Sequence, residues 1–290
     1  MEFIRAKRIV YPVKNGWFGV THNMNIYNGC NQGCIYCDSR SSCYQIKDFD
    51  KVKPKQDAPR IIEENLKNAR QPYMIGMGGM SDPYNHLEEK LQYTRKALQS
   101  ILKYGHGVFI ITKNIRVLRD IDLLQEINKK SPVIIGITIT TFDDRLQKRI
   151  ERNVSLSSQR FDAIKQLRQA GLYAGIMMMP ILPFINDTQE NIANIVTKAH
   201  DIDANFIYPS FGVTLRDNQR DYYFHKIKED LTKKYIDTYQ EKYYCESLNK
   251  TNLSKEFKTL CAKYGIIYTM NDIIKQGDLN VRHQQVSFTL

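Results

Sequence analysis

NMNIYNGCNQGCIYCDSR, residues 23 to 40, joins a short apolar run to Cys30, Cys34 and Cys37 at C-x3-C-x2-C spacing. Gly29 and Gly33 let the chain wrap tightly there, so three thiolates can converge on one centre. An electron-transfer [4Fe–4S] cluster takes four cysteines, so three leave one iron open to a small ligand. Zinc is the alternative, completed by Cys43, His22 or Asp38. Structural zinc, however, closes with four ligands, often as two C-x2-C knuckles, and no second knuckle follows. A redox dithiol would leave Cys30 without a role.

The run NMNIY (23–27) is the first of six apolar, β-branched segments. The others are YMIGMGG (73–79), GVFIIT (107–112), VIIGITIT (133–140), LYAGIMMMP (172–180) and NFIYPS (205–210). Such runs suit parallel strands covered on both faces. Between them, residues 58–70, 86–105, 115–130, 157–171 and 188–202 place apolar side chains three and four apart and read as helices, with Gly105 and Gly171 as stops. The alternation predicts an α/β fold of repeated βα units around a parallel sheet. Periodicity does not choose between an open doubly wound sheet and a barrel, complete or partial. In each of these, ligands gather at the strand C-terminal ends, and the cysteines directly follow the first strand. Residues 47–59, charged and carrying two prolines, read as a surface loop. From about residue 213 the βα rhythm gives way to a mainly helical extension.

A chain of 290 residues, 42% hydrophobic and 25% charged, has an ordinary globular composition. No apolar run approaches the roughly 18 to 20 residues of a membrane span, and the opening MEFIRAKRIVYPVKNG lacks a signal-peptide h-region. A cytoplasmic protein with no membrane partner is expected. Six cysteines, three crowded into eight residues and the rest scattered at 43, 245 and 261, do not form a disulfide framework. Cys245 and Cys261 read as separate structural thiols, or as a joint metal site should their segments meet. The net charge of +11 suits a polyanionic partner such as nucleic acid. Residues 215–244 interleave aromatic and basic residues, yet their seven Lys/Arg face six Asp/Glu, as on a solvated helix. A clearer basic excess lies at Arg5, Lys7, Arg8 and Lys14.

The cysteine motif, with the aromatic Tyr36 before Cys37, resembles that of the radical S-adenosylmethionine (SAM) superfamily. Further blocks follow in order: GMGGMSDPY (76–84), FIITKN (109–114), IRVLRDIDLL (115–124), ITITTFDDRLQKRIERN (137–153) and the strand ending at Pro180. Over roughly residues 21 to 215 they are similar to the spore photoproduct lyase related family, often labelled DNA repair photolyases. The resemblance implies a partial (β/α)6 TIM-like barrel over residues 23–212, an N-terminal extension over 1–22 and the helical extension over 213–290. It implies a [4Fe–4S] cluster on Cys30, Cys34 and Cys37 whose open iron is chelated by the methionine end of SAM. Gly78, Gly79 and Ser81 match the segment at the methionine amino group, with Ser81 and Asp82 as acceptors, and Lys113 matches the position that meets the SAM carboxylate.

Thr138 and Thr140 alternate on one strand face and match positions near the ribose or sulfonium, although β-propensity explains them equally. Tyr36 is implied as an adenine-side packing residue. Glu151 and Arg160 match family positions too, or form a structural ion pair. Met177, Met178 and Met179 read as core filling. The implied chemistry is reduction of the cluster by an external one-electron donor such as flavodoxin or ferredoxin, then cleavage of SAM to a 5′-deoxyadenosyl radical. The substrate is open between a nucleic-acid lesion and a small molecule or peptide; a non-enzymatic iron–sulfur carrier or metal-binding protein is the third reading. One departure weighs against lesion repair as the relatives perform it. Their cysteine hydrogen donor precedes a Thr-Ser-Asp segment, where this chain has Gly79 before Met80, Ser81 and Asp82. Cys43 is then a substitute donor, or a small buried thiol without a catalytic role.

Overall fold

The β-branched runs become buried strands because helices cover one side of them and aromatic side chains the other. The computed structural model describes residues 1–14 and 16–287. Its strands are β1 (Val10–Pro12), β2 (His22–Met24), β3 (Tyr27–Asn28), β4 (Lys53–Pro54), β5 (Met74–Met77), β6 (Gly107–Thr112), β7 (Val133–Thr138), β8 (Tyr173–Met178), β9 (Ile207–Pro209), β10 (Gly212–Thr214) and β11 (Tyr244–Glu246). One sheet has the order β1-β2-β5-β6-β7-β8-β9. From β2 onward every neighbour is parallel. Each crossover therefore moves one strand along, which builds an arc rather than a doubly wound sheet, and the partial (β/α)6 barrel is the fold.

The helices are α1 (Ala58–Lys67), α2 (Glu88–Leu91), α3 (Tyr93–Lys103), α4 (Ile121–Asn128), α5 (Asp144–Ile150), α6 (Ser157–Gln169), α7 (Gln189–Asp201), α8 (Asp217–Lys226), α9 (Glu229–Tyr239), α10 (Lys250–Tyr264) and α11 (Met270–Ser287). Alternate strand residues Ile75, Val108, Ile110, Ile135, Ile137 and Ile176 pack outward with Leu66, Leu98, Leu124, Leu167 and Ile195 of the helices. Their neighbours Phe109, Ile134, Tyr173 and Met177 point the other way, onto Phe18, Val20, Phe206 and Ile273. That is the period-two division of a strand buried on both faces. Phe18 stacks on Phe109 with centroids 4.5 Å apart. A Cβ at Gly277 of α11 would meet Ile134 Cδ1 at 2.8 Å, so this helix lies against the concave face. Most of this inner cluster sits where strands begin, which leaves the strand C-terminal ends free.

Several features depart from the sequence reading. β1 adds an antiparallel edge strand, and β10 and β11 pair antiparallel inside the extension expected to be mainly helical. The helical pattern over 86–105 breaks at Gln92, which has φ 50° between α2 and α3. The 47–59 stretch is not wholly a surface loop: Phe49 and Val52 are buried, and β4 pairs with β3. The aromatics of 215–244 do not form one continuous exposed face: Tyr223, Tyr235 and Tyr239 are buried, while Tyr243 and Tyr244 are exposed. No helix among the described residues is long and apolar enough to cross a membrane.

Candidate active site

The cysteine loop is clamped on two sides. Gly29 has φ +76°, and a Cβ there would lie 2.7 Å from the Phe49 carbonyl oxygen and 2.8 Å from that of Lys51. Only glycine lets the loop come this close, and the Cys30 N–H donates to the Phe49 carbonyl at 2.7 Å. Beyond it, Cys34 forms an antiparallel bridge with Glu151. The Ile35 N–H donates to Ile150 at 3.0 Å, and the Asn153 N–H to Gln32 at 2.9 Å. So held, Cys30, Cys34 and Cys37 line one cavity.

The facing wall comes from the ends of β5 and β6. Gly78 has φ +98°, and a Cβ would sit 1.9 Å from the Ile111 carbonyl oxygen, so no side chain fits. A Cβ on Gly79 would meet nothing within 4 Å. The Ser81 hydroxyl donates to the Gly29 carbonyl at 2.6 Å and ties this wall to the cysteine loop. Asp82 accepts from the Thr112 hydroxyl at 2.8 Å, the Lys113 N–H at 2.9 Å and the Tyr84 N–H at 2.8 Å. The carboxylate therefore fixes where Lys113 leaves its strand. Asp82→Ala strands three donors and is expected to cost about 1–3 kcal/mol of unfolding free energy, read as a lower urea midpoint at unchanged m value.

Electrostatically the cavity sets one cation against three thiols. Burial pushes the Cys30 thiol up to about 11 and raises Cys34 and Cys37 as well. Burial disfavours the charged thiolate at all three. Burial opposes the charge on Lys113, but Cys34, Glu151 and Cys37 outweigh it and raise its pKa. Its Nζ lies 5.7 Å from the Tyr36 ring centroid. Behind the loop, the Tyr36 hydroxyl donates to Glu151. Glu151 pairs with Arg160 at 2.7 Å, both side chains fully buried, and Arg160 also donates to the Thr138 carbonyl at 2.8 Å.

Cys30, Cys34, Cys37, Gly78, Gly79, Ser81, Asp82 and Lys113 thus share one cavity. Tyr36, Thr138, Thr140 and Cys43 are not among its lining residues. Thr138 and Thr140 are buried; Cys43 is exposed rather than buried, its sulfur accepting from the Ser41 hydroxyl at 3.3 Å. Met177 and Met178 are fully buried, in keeping with core filling. The candidate fourth zinc ligands are engaged elsewhere: His22 stacks on Tyr73, and Asp38 pairs with Arg216 at 2.6 Å. Among the described residues no three His, Cys, Asp or Glu side chains close on a single ion. Cys245 and Cys261 are buried in different apolar clusters and do not form a joint site. Sequence reasoning missed Gln32, Ser39, Phe49 and Thr112, which also line the cavity. Only Thr112 carried a signal, as the residue before Lys113 at a strand end.

A family model described as the radical SAM superfamily matches residues 24–196. The chain belongs to the radical SAM superfamily. A relative of this radical SAM enzyme, an uncharacterised protein of Methanocaldococcus jannaschii, is 33% identical over 189 residues, covering 64% of this chain and 69% of that protein. Among solved structures, a spore photoproduct lyase variant matches with TM-score 0.68 at 13% identity, over 91% of this chain and 78% of that one. Spore photoproduct lyase complexed with dinucleoside spore photoproduct matches with TM-score 0.64 at 13% identity, over 84% and 74%. At such identities the likeness establishes the fold that this radical SAM enzyme shares with them.

Proposed function

We propose that this enzyme holds a [4Fe–4S] cluster on Cys30, Cys34 and Cys37 and cleaves SAM reductively. The observation that carries the reading is one loop turning three thiols into a cavity opposite a glycine ledge and a lysine cation. The donor set suits the group: thiolates hold iron–sulfur clusters, and three of them leave one iron open. The absence of a trio tight enough for one ion does not count against a four-iron body, whose irons hold their thiolates farther apart. When bound, cluster and SAM supply one-electron cleavage of a C–S bond and a 5′-deoxyadenosyl radical that takes hydrogen from substrate.

The chain's residues bind and orient. The open side of Gly79 leaves room for the methionine end, and the Lys113 ammonium suits its carboxylate. Ser81 and Asp82 hold that wall in register with the cysteine loop. Thr138 ends β7 and Thr140 follows two residues later, and on this reading the two serve the ribose side. Tyr36 braces the loop through its hydroxyl bond to Glu151, and on this reading its ring serves the adenine side. A nucleic-acid substrate is supported by the +11 charge and by the likeness to a lyase complexed with a dinucleoside lesion. With Gly79 and Met80 where relatives carry the donor cysteine, and Cys43 outside the cavity, hydrogen return does not follow the relatives' route. A cytoplasmic setting, supported by six free cysteines, supplies the external reductant.

The test is anaerobic. Protein reconstituted with iron and sulfide, then given dithionite and SAM, is expected to form 5′-deoxyadenosine and methionine in equal amounts. Intact SAM beside a verified four-iron cluster would refute the reading and favour an electron carrier.

A further inference from the structure

Cys34 and Cys37 line the cavity described above, whereas Ile35 between them lines a second cavity that shares none of its lining residues. This groove, of about 290 Å³, is floored by Ile35, Leu146, Ile150, Phe184 and Ile227 and rimmed by Arg149, Lys226 and Lys228. Its floor is continuous with the thiols. Cys34, Ile35, Tyr36 and Ile150 belong to one buried apolar cluster, against which Cys37, Phe184 and Ile227 pack. The Ile35 N–H bond to Ile150 fixes the residue that lies next to Cys34 in the chain and lines the groove.

The charge is one-sided. Every charged side chain in the lining is a cation. Neither Arg149 nor Lys228 has an ion-pair partner among the described residues, and Lys226 lies 5.2 Å over the Tyr222 ring. The acidic Glu229 and Asp230, at the start of α9, stay outside the lining. An apolar floor within a cationic rim is complementary to a protein that presents an apolar contact within an acidic rim.

We propose that this groove docks the enzyme's one-electron donor, a small acidic carrier protein of the flavodoxin or ferredoxin type, and that the electron enters past Ile35. The inference rests on the cluster-binding reading of Cys30, Cys34 and Cys37. One electron leaves the reduced carrier, which is oxidised by one, and enters the cluster, which is reduced by one; no bond forms or breaks. Because the groove shares no lining residue with the proposed SAM cavity, the carrier is not expected to compete with SAM for space.

The test follows cluster bleaching by stopped flow, with cluster-loaded wild type and an R149E/K226E/K228E variant. Each is mixed with reduced flavodoxin, reduced [2Fe–2S] ferredoxin or dithionite. At low ionic strength the variant is expected to take electrons from the carriers at least about tenfold more slowly, with its dithionite rate within about twofold of wild type. Salt is expected to slow carrier reduction of the wild type and to raise the slow rate of the charge-reversed variant, which repels the acidic carriers at low salt. The neutral R149Q/K226Q/K228Q variant, less exposed to misfolding, is expected to fall between them. Carrier rates in both variants equal to wild type overturn the proposal. So does a wild type that dithionite reduces but neither carrier does, and that result leaves SAM cleavage standing. Undiminished carrier rates with weakened single-stranded oligonucleotide binding reassign the groove to nucleic acid. A wild type that takes up no four-iron cluster on reconstitution sinks the cluster reading, and docking with it.

Discussion

Cys34→Ala is expected to bring bound iron to background and to cut 5′-deoxyadenosine formation at least about a thousandfold, since the cofactor carries the chemistry. Two thiols remain on the loop, too few to hold four irons. Because a buried free cysteine behaves as a small hydrophobe, the chain itself is expected to stay folded, with an unchanged far-UV spectrum. Iron and sulfide analysis after anaerobic reconstitution, together with product quantification, checks both halves. A variant that retains four irons and wild-type turnover would show that the cluster sits elsewhere.

Arg160→Met is expected to act through stability instead. Its guanidinium is fully buried and faces Glu151 at 2.7 Å, with further bonds to the carbonyls of Thr138 and Ser155 at 2.8 Å. Removing it leaves a buried carboxylate uncompensated, at a cost of about 3–5 kcal/mol. Glu151 also accepts from Tyr36 and shares a backbone bridge with Cys34, so the cysteine loop should slacken as well. Urea unfolding of the metal-free chain measures the first effect, and the iron retained after gel filtration the second. The E151L/R160M double variant is expected to recover much of the stability, because exchanging a buried ion pair for apolar groups of similar size is often neutral. A loss under about 1 kcal/mol for Arg160→Met alone would mean that the pair is solvated and the loop is held by its backbone.

The central strands were legible because each is four to six residues of β-branched or apolar sequence, and their burial on both faces is what that composition requires. β1, β4, β10 and β11 were not, because two or three residues carry no period and their pairing depends on distant partners; the run 23–27, read as one strand, divides between β2 and β3. The cysteine motif located the cavity, and the GMGGMSDPY block its opposite wall. Less legible was what each polar group does there. Asp82 reads as an acceptor for a ligand but is occupied by Thr112, Lys113 and Tyr84; the Asp-Pro step followed by Tyr84 hints only at the last of these. Arg160 was the more readable case. It shares the buried stripe of α6 with Ala163, Ile164 and Leu167, and a charge at an apolar-stripe position signals a buried partner. Phe49 was lost because its charged, proline-containing surroundings outweighed one aromatic residue.

The two-sided clamp on the cysteine loop has a consequence for how the holoenzyme is made. In small zinc domains the chain acquires its shape when the metal arrives, so ligand binding and folding are one event. Here the loop is bonded through its backbone to residues 49 and 150–153, and sealed to its opposite wall by Ser81, using protein atoms alone. On the cluster-binding reading proposed above, maturation is expected to be delivery of iron and sulfide into a socket already held by protein contacts, and a chain that has lost its cluster is expected to keep its far-UV spectrum and to be refillable.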